Sequence, residues 1–141
     1  MSRLEEVRES VLAHPLHRAC ELELLHAEDG RGEVRFAVND FTANPMGALH
    51  GGILYALMDV ACFFAVVPSL PAEQQPVTVE THNSVLRAAM KGEQVVIRAQ
   101  MDRLGRTLAA MRAEALAVNA EGNERLIATG SVTKAITAVR L

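Results

Sequence analysis

In the stretch NPMGALHGGILYALMDVACFFAVV, residues 44 to 67, a single acid stands inside a run that otherwise belongs in a core: Asp59, between Ile53 and Val67. An unpaired carboxylate in a low-dielectric interior is costly, so a chain that keeps one there gains a partner such as an Arg, a water-filled seam, or a function. Just upstream lies His50-Gly51-Gly52. Two glycines let the backbone bend and approach a ligand with no Cβ in the way. The first N–H groups of a helix have no internal acceptor and sit at the positive end of its dipole, so they can receive a developing oxyanion. Taken singly, each feature also has a plainer reading: a loop-to-helix turn for the glycines, capping or packing for His50, and an Asx turn for Asn44 before Pro45.

The elements that must hold these residues can be read from periodicity. Leu4, Val7, Val11 and Leu12 have the spacing of a short amphipathic helix, which Pro15 should end. Two alternating runs follow, Cys20 to Leu24 and Glu33 to Val38, joined by Asp29-Gly30-Arg31-Gly32, a hairpin signal. Turn formers fill residues 41 to 52. The run 53 to 67 is too long for a strand and rich in Leu, Ala and Met, which predicts a helix buried on most sides and ending before Pro68. After a loop to Pro76, residues 77–87, 94–101 and 126–137 read as strands, with a turn at 119–123. Residues 107–118 favour a helix on propensity and a strand on context; we read a strand, in part because of the resemblance given below. The order, one long apolar helix among about six strands, predicts an α+β fold with an antiparallel sheet packed on a central helix.

At 141 residues, half of them hydrophobic, the chain has the size and composition of a single globular domain covering 1–141. The expected division is an N-terminal helix, 1–14, and a core, 15–137. A net charge of −3 without any Lys/Arg run argues against nucleic acid or an anionic membrane as the main partner. Residues 53 to 70 approach membrane-spanning length, but Asp59 would lie near the bilayer centre. Cys20 and Cys62 show neither disulfide-scaffold nor metal spacing, and MSRLEEVRES has no apolar signal core, so a cytoplasmic location is expected.

Taken together, Asn44-Pro45-Met46-Gly47-Ala48-Leu49-His50-Gly51-Gly52 followed by Asp59 resembles the hotdog-fold acyl-CoA thioesterases of the phenylacetate-pathway (PaaI-like) type. In that family an N-x-x-G-x-x-H-G-G loop leads into a helix with an acid eight positions after the first paired glycine. The resemblance continues through Pro76-Val77-Thr78-Val79-Glu80, Leu86-Arg87, Gly92-Glu93, Arg103-Leu104-Gly105-Arg106-Thr107 and Ala128-Thr129-Gly130. It departs at Ala88, where the family commonly has proline. The resemblance implies a sheet wrapped around a long helix and hydrolysis of an acyl thioester of coenzyme A. By position, Gly51 N–H polarises the carbonyl, Asp59 is nucleophile or general base, Asn44 and His50 orient carbonyl or water, and Thr78 assists near the carboxylate. No metal and no cofactor are implied, since coenzyme A belongs to the substrate.

Geometry adds one expectation. If Gly51 and Asp59 share a helix, eight residues separate them by roughly 12 Å, whereas reacting groups must come within about 3–3.5 Å of one another. A site using both then needs two chains: a homodimer with shared sites, which could pair into a homotetramer. For the phosphates of coenzyme A, Arg87, Arg103 and Arg106 are candidate cations. Gly105 permits close backbone approach there and Thr107 offers a hydroxyl, while Gly52 is a substrate-binding candidate as part of the glycine pair. Two other functions compete: a hotdog-fold hydratase or dehydratase using His50 and Asp59, and a non-catalytic acyl-CoA-binding module. The first lacks the D-x-x-x-x-H arrangement, and the second has no use for a carboxylate beside an anionic ligand.

Overall fold

The computed structural model describes residues 2–139. Helix α1, Arg3–Leu12, is opened by a capping box in which the Ser2 hydroxyl accepts from Glu5 N–H and the Glu5 carboxylate accepts from Ser2 N–H. Pro15 does more than end it. It occupies the first turn of a second short helix, α2, Pro15–Ala19, where its missing N–H costs nothing. The expected first strand is therefore displaced: Cys20 caps α2, and the strand β1 runs Glu23–Glu28. Cys20 and Leu22 are both buried, which imitates the alternation of a strand.

β2, Arg31–Ala37, follows through a tight turn. The apolar run forms α3, Gly51–Val66, and a single 3-10 turn, Val67–Ser69, then leads to β3, Gln74–Val85. β4, β5 and β6 span Gln94–Leu104, Leu108–Val118 and Glu124–Ala138. All pairings are antiparallel and the sheet order is β1-β2-β4-β5-β6-β3. The ambiguous segment is a strand. Ala109, Met111, Ala113, Ala115 and Ala117 turn inward and are buried, while pairing on both sides with β4 and β6 overrides helix propensity.

Those alanines make room for α3, which lies across β2, β4 and β5. At β2 the approach is closer still. A Cβ on Gly32 would fall 2.3 Å from the Ala61 carbonyl oxygen and 2.7 Å from Ala65 N, so only glycine lets strand and helix backbone touch. Leu54, Leu57, Met58, Ala61, Cys62 and Phe64 bury the inner side of α3 against the sheet. The stretch Gly51–Ser69 is long and apolar enough to cross a membrane, yet it forms the centre of this core. One stripe stays uncovered: Gly52 and Tyr55 are exposed and Asp59 and Phe63 are half-buried, at helical spacing.

Candidate active site

Asp59 lies on that open stripe, and its partner is a lysine rather than an arginine. Lys134 Nζ donates to Asp59 Oδ1 at 2.9 Å, and the Thr78 hydroxyl donates to the same oxygen at 2.8 Å. Lys134 also donates to Thr78 Oγ1, at 2.9 Å. The pairing is built by the sheet: Thr78 of β3 stands directly opposite Lys134 of β6, beside a bulge between Thr78 and Glu80. Such an irregularity re-aims side chains locally. Both side chains reach Asp59 on the helix. The three residues line a cleft of about 230 Å³ together with Val11, His17, Val60, Phe63 and Pro76. Helix α1 thus contributes a wall to the cleft, through Val11. Arg3 pins α1 to the loop before β3 by donating to the carbonyls of Leu70, Pro71 and Gln74.

Lys134 is the residue that sequence reasoning missed. A signal was present, since it is a lone charge in the run Ser131 to Ala138, the same anomaly that singles out Asp59. Of the residues near the acid, Met58 and Cys62 are core, whereas Tyr55 and Phe63 border the open stripe. Burial pushes the Cys62 thiol up to about 12, outweighing the pull of Lys134, which leaves it protonated and no rival nucleophile at neutral pH.

The other half of the expected constellation gathers at the start of α3. His50 is the N-cap: its Nδ1 accepts from Gly52 N–H at 3.0 Å. Gly51 takes the first helical position, where its N–H has no intrahelical acceptor. Its Cα faces the Tyr55 ring, for a Cβ there would lie 3.2 Å from the phenol oxygen. Asn44 forms an Asx turn, its Oδ1 accepting from Met46 N–H and Ala48 N–H. Gly47 sits at φ +81°, which explains the glycine of the motif. The loop leans on residues 88–93: Leu49 N–H donates to the Ala89 carbonyl, and Ala48 bridges Met90. That segment is clamped in turn. Arg125 grips the Glu93 carboxylate at 2.5 and 2.7 Å and the Ala88 carbonyl at 2.8 Å, holding Glu93 down at about 2. The turn at Ala88 is thus held without the proline.

The expected phosphate-binding residues divide between these places. Arg103 is near the end of β4, Gly105, Arg106 and Thr107 form the β4–β5 connection, and the Thr107 carbonyl accepts from Ile136 N–H, two residues beyond Lys134. Arg87 follows β3 near Ala89, beside the glycine loop. All three arginines are exposed. Gly51 and Asp59 lie on one unbroken helix, so the two groups are separated by about 12 Å along it. Among the described residues no group of three or more His, Cys, Asp or Glu could hold a metal ion. A larger concavity, about 630 Å³, lies on the outer sheet face and contains none of these residues. Its Arg98 is neutralised by Glu33 and Glu124, and its Arg112 by Asp102. The smaller cleft, which holds Asp59, is the candidate site.

Comparison with known proteins bears on the family and the fold. A family model described as the thioesterase superfamily matches residues 46–122. A Deinococcus radiodurans protein bearing a provisional esterase name is 42% identical over 91 residues, 64% of this chain. The match spans only 60% of that relative's length. Among solved structures, a thioesterase family protein from Silicibacter pomeroyi has a TM-score of 0.88 at 28% identity, covering 98% of this chain and 100% of its own. A mutant of the phenylacetic acid degradation protein PaaI from Thermus thermophilus has a TM-score of 0.74 at 30% identity, covering 86% and 97%.

Proposed function

The chain belongs to the thioesterase superfamily and has its hotdog fold, and from that premise we propose that it hydrolyses an acyl- or aryl-acyl-coenzyme A to the free acid and coenzyme A. The observation that carries this reading is the Asp59 carboxylate, held on the uncovered stripe of α3 by Thr78 and Lys134 and opening into a cleft. One carboxylate oxygen is left to attack the thioester carbon, giving an anhydride that water then cleaves, or to take the proton of an attacking water. In either route coenzyme A departs as the thiol. Gly51 N–H, at the positive end of α3, stabilises the oxyanion. Asn44 Nδ2 and His50 orient the carbonyl or the water. Arg103, Arg106 and Thr107, and across the interface Arg87, are our candidates for the phosphates.

This reading requires two chains, because the oxyanion donor and the acid of one chain are about 12 Å apart along α3. Two features support a dimer. β3 is an edge strand of 12 residues whose Val77, Val79 and Val85 are 46%, 60% and 49% exposed, an apolar edge that isolated proteins avoid. The cleft, about 230 Å³, is also smaller than the roughly 300–1,000 Å³ of ordinary ligand sites, as half of a shared site would be. A hydratase is disfavoured because the D-x-x-x-x-H arrangement is missing around His50 and Asp59 and the His50 Nδ1 is engaged as a cap. Two buried, free cysteines accord with a reducing cytoplasm.

The test is thiol release from a panel of aryl, short-chain and long-chain acyl-CoA substrates by wild type and Asp59→Asn. The amide is chosen because alanine would remove the oxygen that accepts from both Lys134 and Thr78. We expect at least one substrate to be turned over, and Asp59→Asn to lose about 10²- to 10⁴-fold. Native-rate hydrolysis by that variant would reject the assignment.

A further inference from the structure

Lys134 lies outside the motif that identifies the site, yet it is the most buried charged group in the cleft. Its side chain is 3% exposed, and lysine is almost never buried so deeply unless paired. Both of its hydrogen bonds go to site residues, Asp59 Oδ1 and Thr78 Oγ1, each at 2.9 Å, and its Nζ stands 5.9 Å from the centre of the Phe63 ring. Thr78 has a single hydroxyl proton, which it gives to Asp59 Oδ1. The direction of that bond is set from the other side, because an ammonium can only donate and so must use a lone pair of the hydroxyl. The three side chains close a triangle whose two donors meet on one carboxylate oxygen. Among the described residues Oδ2 receives no hydrogen bond, and the Asp59 side chain remains 31% exposed.

From this asymmetry we infer that Lys134 is a positioning residue for thioester hydrolysis, locking Asp59 Oδ1 directly and through Thr78 so that Oδ2 is the atom that meets the thioester or its water. The inference rests on the thioesterase reading of Asp59. Charge-assisted hydrogen bonds fix a carboxylate plane better than neutral ones, and a fixed plane matters where reacting atoms must be held in an attack geometry. Lys134 also supplies the countercharge that allows an acid on an apolar helix. With an apolar side chain at 134, the Thr78 hydroxyl would be free to turn toward other acceptors and the carboxylate would swing on one bond. Substrate contacts, made by other residues, would stay intact. The expected signature is a loss in kcat with KM preserved.

The experiment compares Lys134→Met, Lys134→Arg, Thr78→Val and Asp59→Asn with wild type, measuring kcat and KM on one acyl-CoA together with thermal stability and oligomeric state. Lys134→Met should lower kcat about 10- to 100-fold, with KM within about twofold. Lys134→Arg should recover part of that loss. Thr78→Val, which keeps the ion pair, should lower kcat less, and the Lys134→Met/Thr78→Val double variant should fall short of the product of the two single losses because both act on one oxygen. Should Lys134→Met fail to fold, Thr78→Val carries the test, and an unchanged kcat in it overturns the inference. Wild-type kcat in folded Lys134→Met, or a change confined to KM, also overturns it. If Asp59→Asn is inactive while Lys134→Met is not, the role of Lys134 alone falls. If Asp59→Asn is active, or no substrate is cleaved by wild type, the thioesterase reading falls and takes this inference with it.

Discussion

The two halves of the proposed site along α3 are built from different materials. At its start the proposed group is a backbone N–H on Gly51, presented by an Asx turn, a glycine at positive φ and a histidine cap. Two turns on, the proposed group is the Asp59 carboxylate, held by a buried lysine and a threonine from two neighbouring strands. A backbone amide is positioned by chain geometry alone and can be offered by a loop. A carboxylate on an apolar helix must be both neutralised and aimed, which takes long-range sheet register. The first half is local in sequence, whereas the second spans 75 positions between Asp59 and Lys134.

The sharpest way to break this contrast is to separate the halves onto different chains. Gly51→Leu places a side chain against Tyr55, and Asp59→Asn removes the acid; each alone should lower turnover about 10²-fold or more. Mixed one to one, half the dimers are hybrids with one intact and one doubly altered site, so about a quarter of wild-type activity should return. No recovery in verified heterodimers would mean that the two groups serve separate sites.

Smaller in effect is the cap. His50→Ala should cost about 1 kcal/mol of stability in a denaturant melt, while His50→Asn, which can still accept from Gly52 N–H, should retain most of it. Turnover should fall in both, because the asparagine restores the cap but not the ring that we propose orients the substrate. Full activity in His50→Asn would reduce His50 to a structural role.

The smallest effect is expected at the clamp beneath the glycine loop. Glu93 is held at about 2 by Arg125, below its ordinary 4.5, so the stabilisation is complete above pH 4.5 and disappears as pH falls toward 2. Glu93→Gln should lower stability at neutral pH by about 1 kcal/mol or less. Its melting temperature should also decline less steeply than that of wild type between pH 4.5 and 2. Parallel curves would mean that the clamp contributes nothing through its charge.

The same division decides what a single sequence can disclose. The helix α3, its glycine loop and the lone acid were legible because each is a contiguous pattern. The strand at Leu108–Val118 was legible only from context, its alanines being helix formers that the neighbouring strands overrule. α2 was missed because a proline that stops one helix and a proline that starts the next look alike, and buried Cys20 and Leu22 mimic a strand. Lys134 was missed for a deeper reason. Whether it faces Thr78 depends on the β3–β6 register across a bulge, and no local pattern encodes register. Strand order likewise places Arg87 away from Arg103 and Arg106, although all three read alike as exposed cations.

The contact of Gly32 with the backbone at Ala61 and Ala65 has an evolutionary corollary. With strand and helix already touching, α3 cannot sink deeper to accommodate a bulkier guest. On the proposed function, room for a longer or wider acyl group has to come from the opposite flank, where Val60 and Phe63 line the cleft and Tyr55 stands exposed.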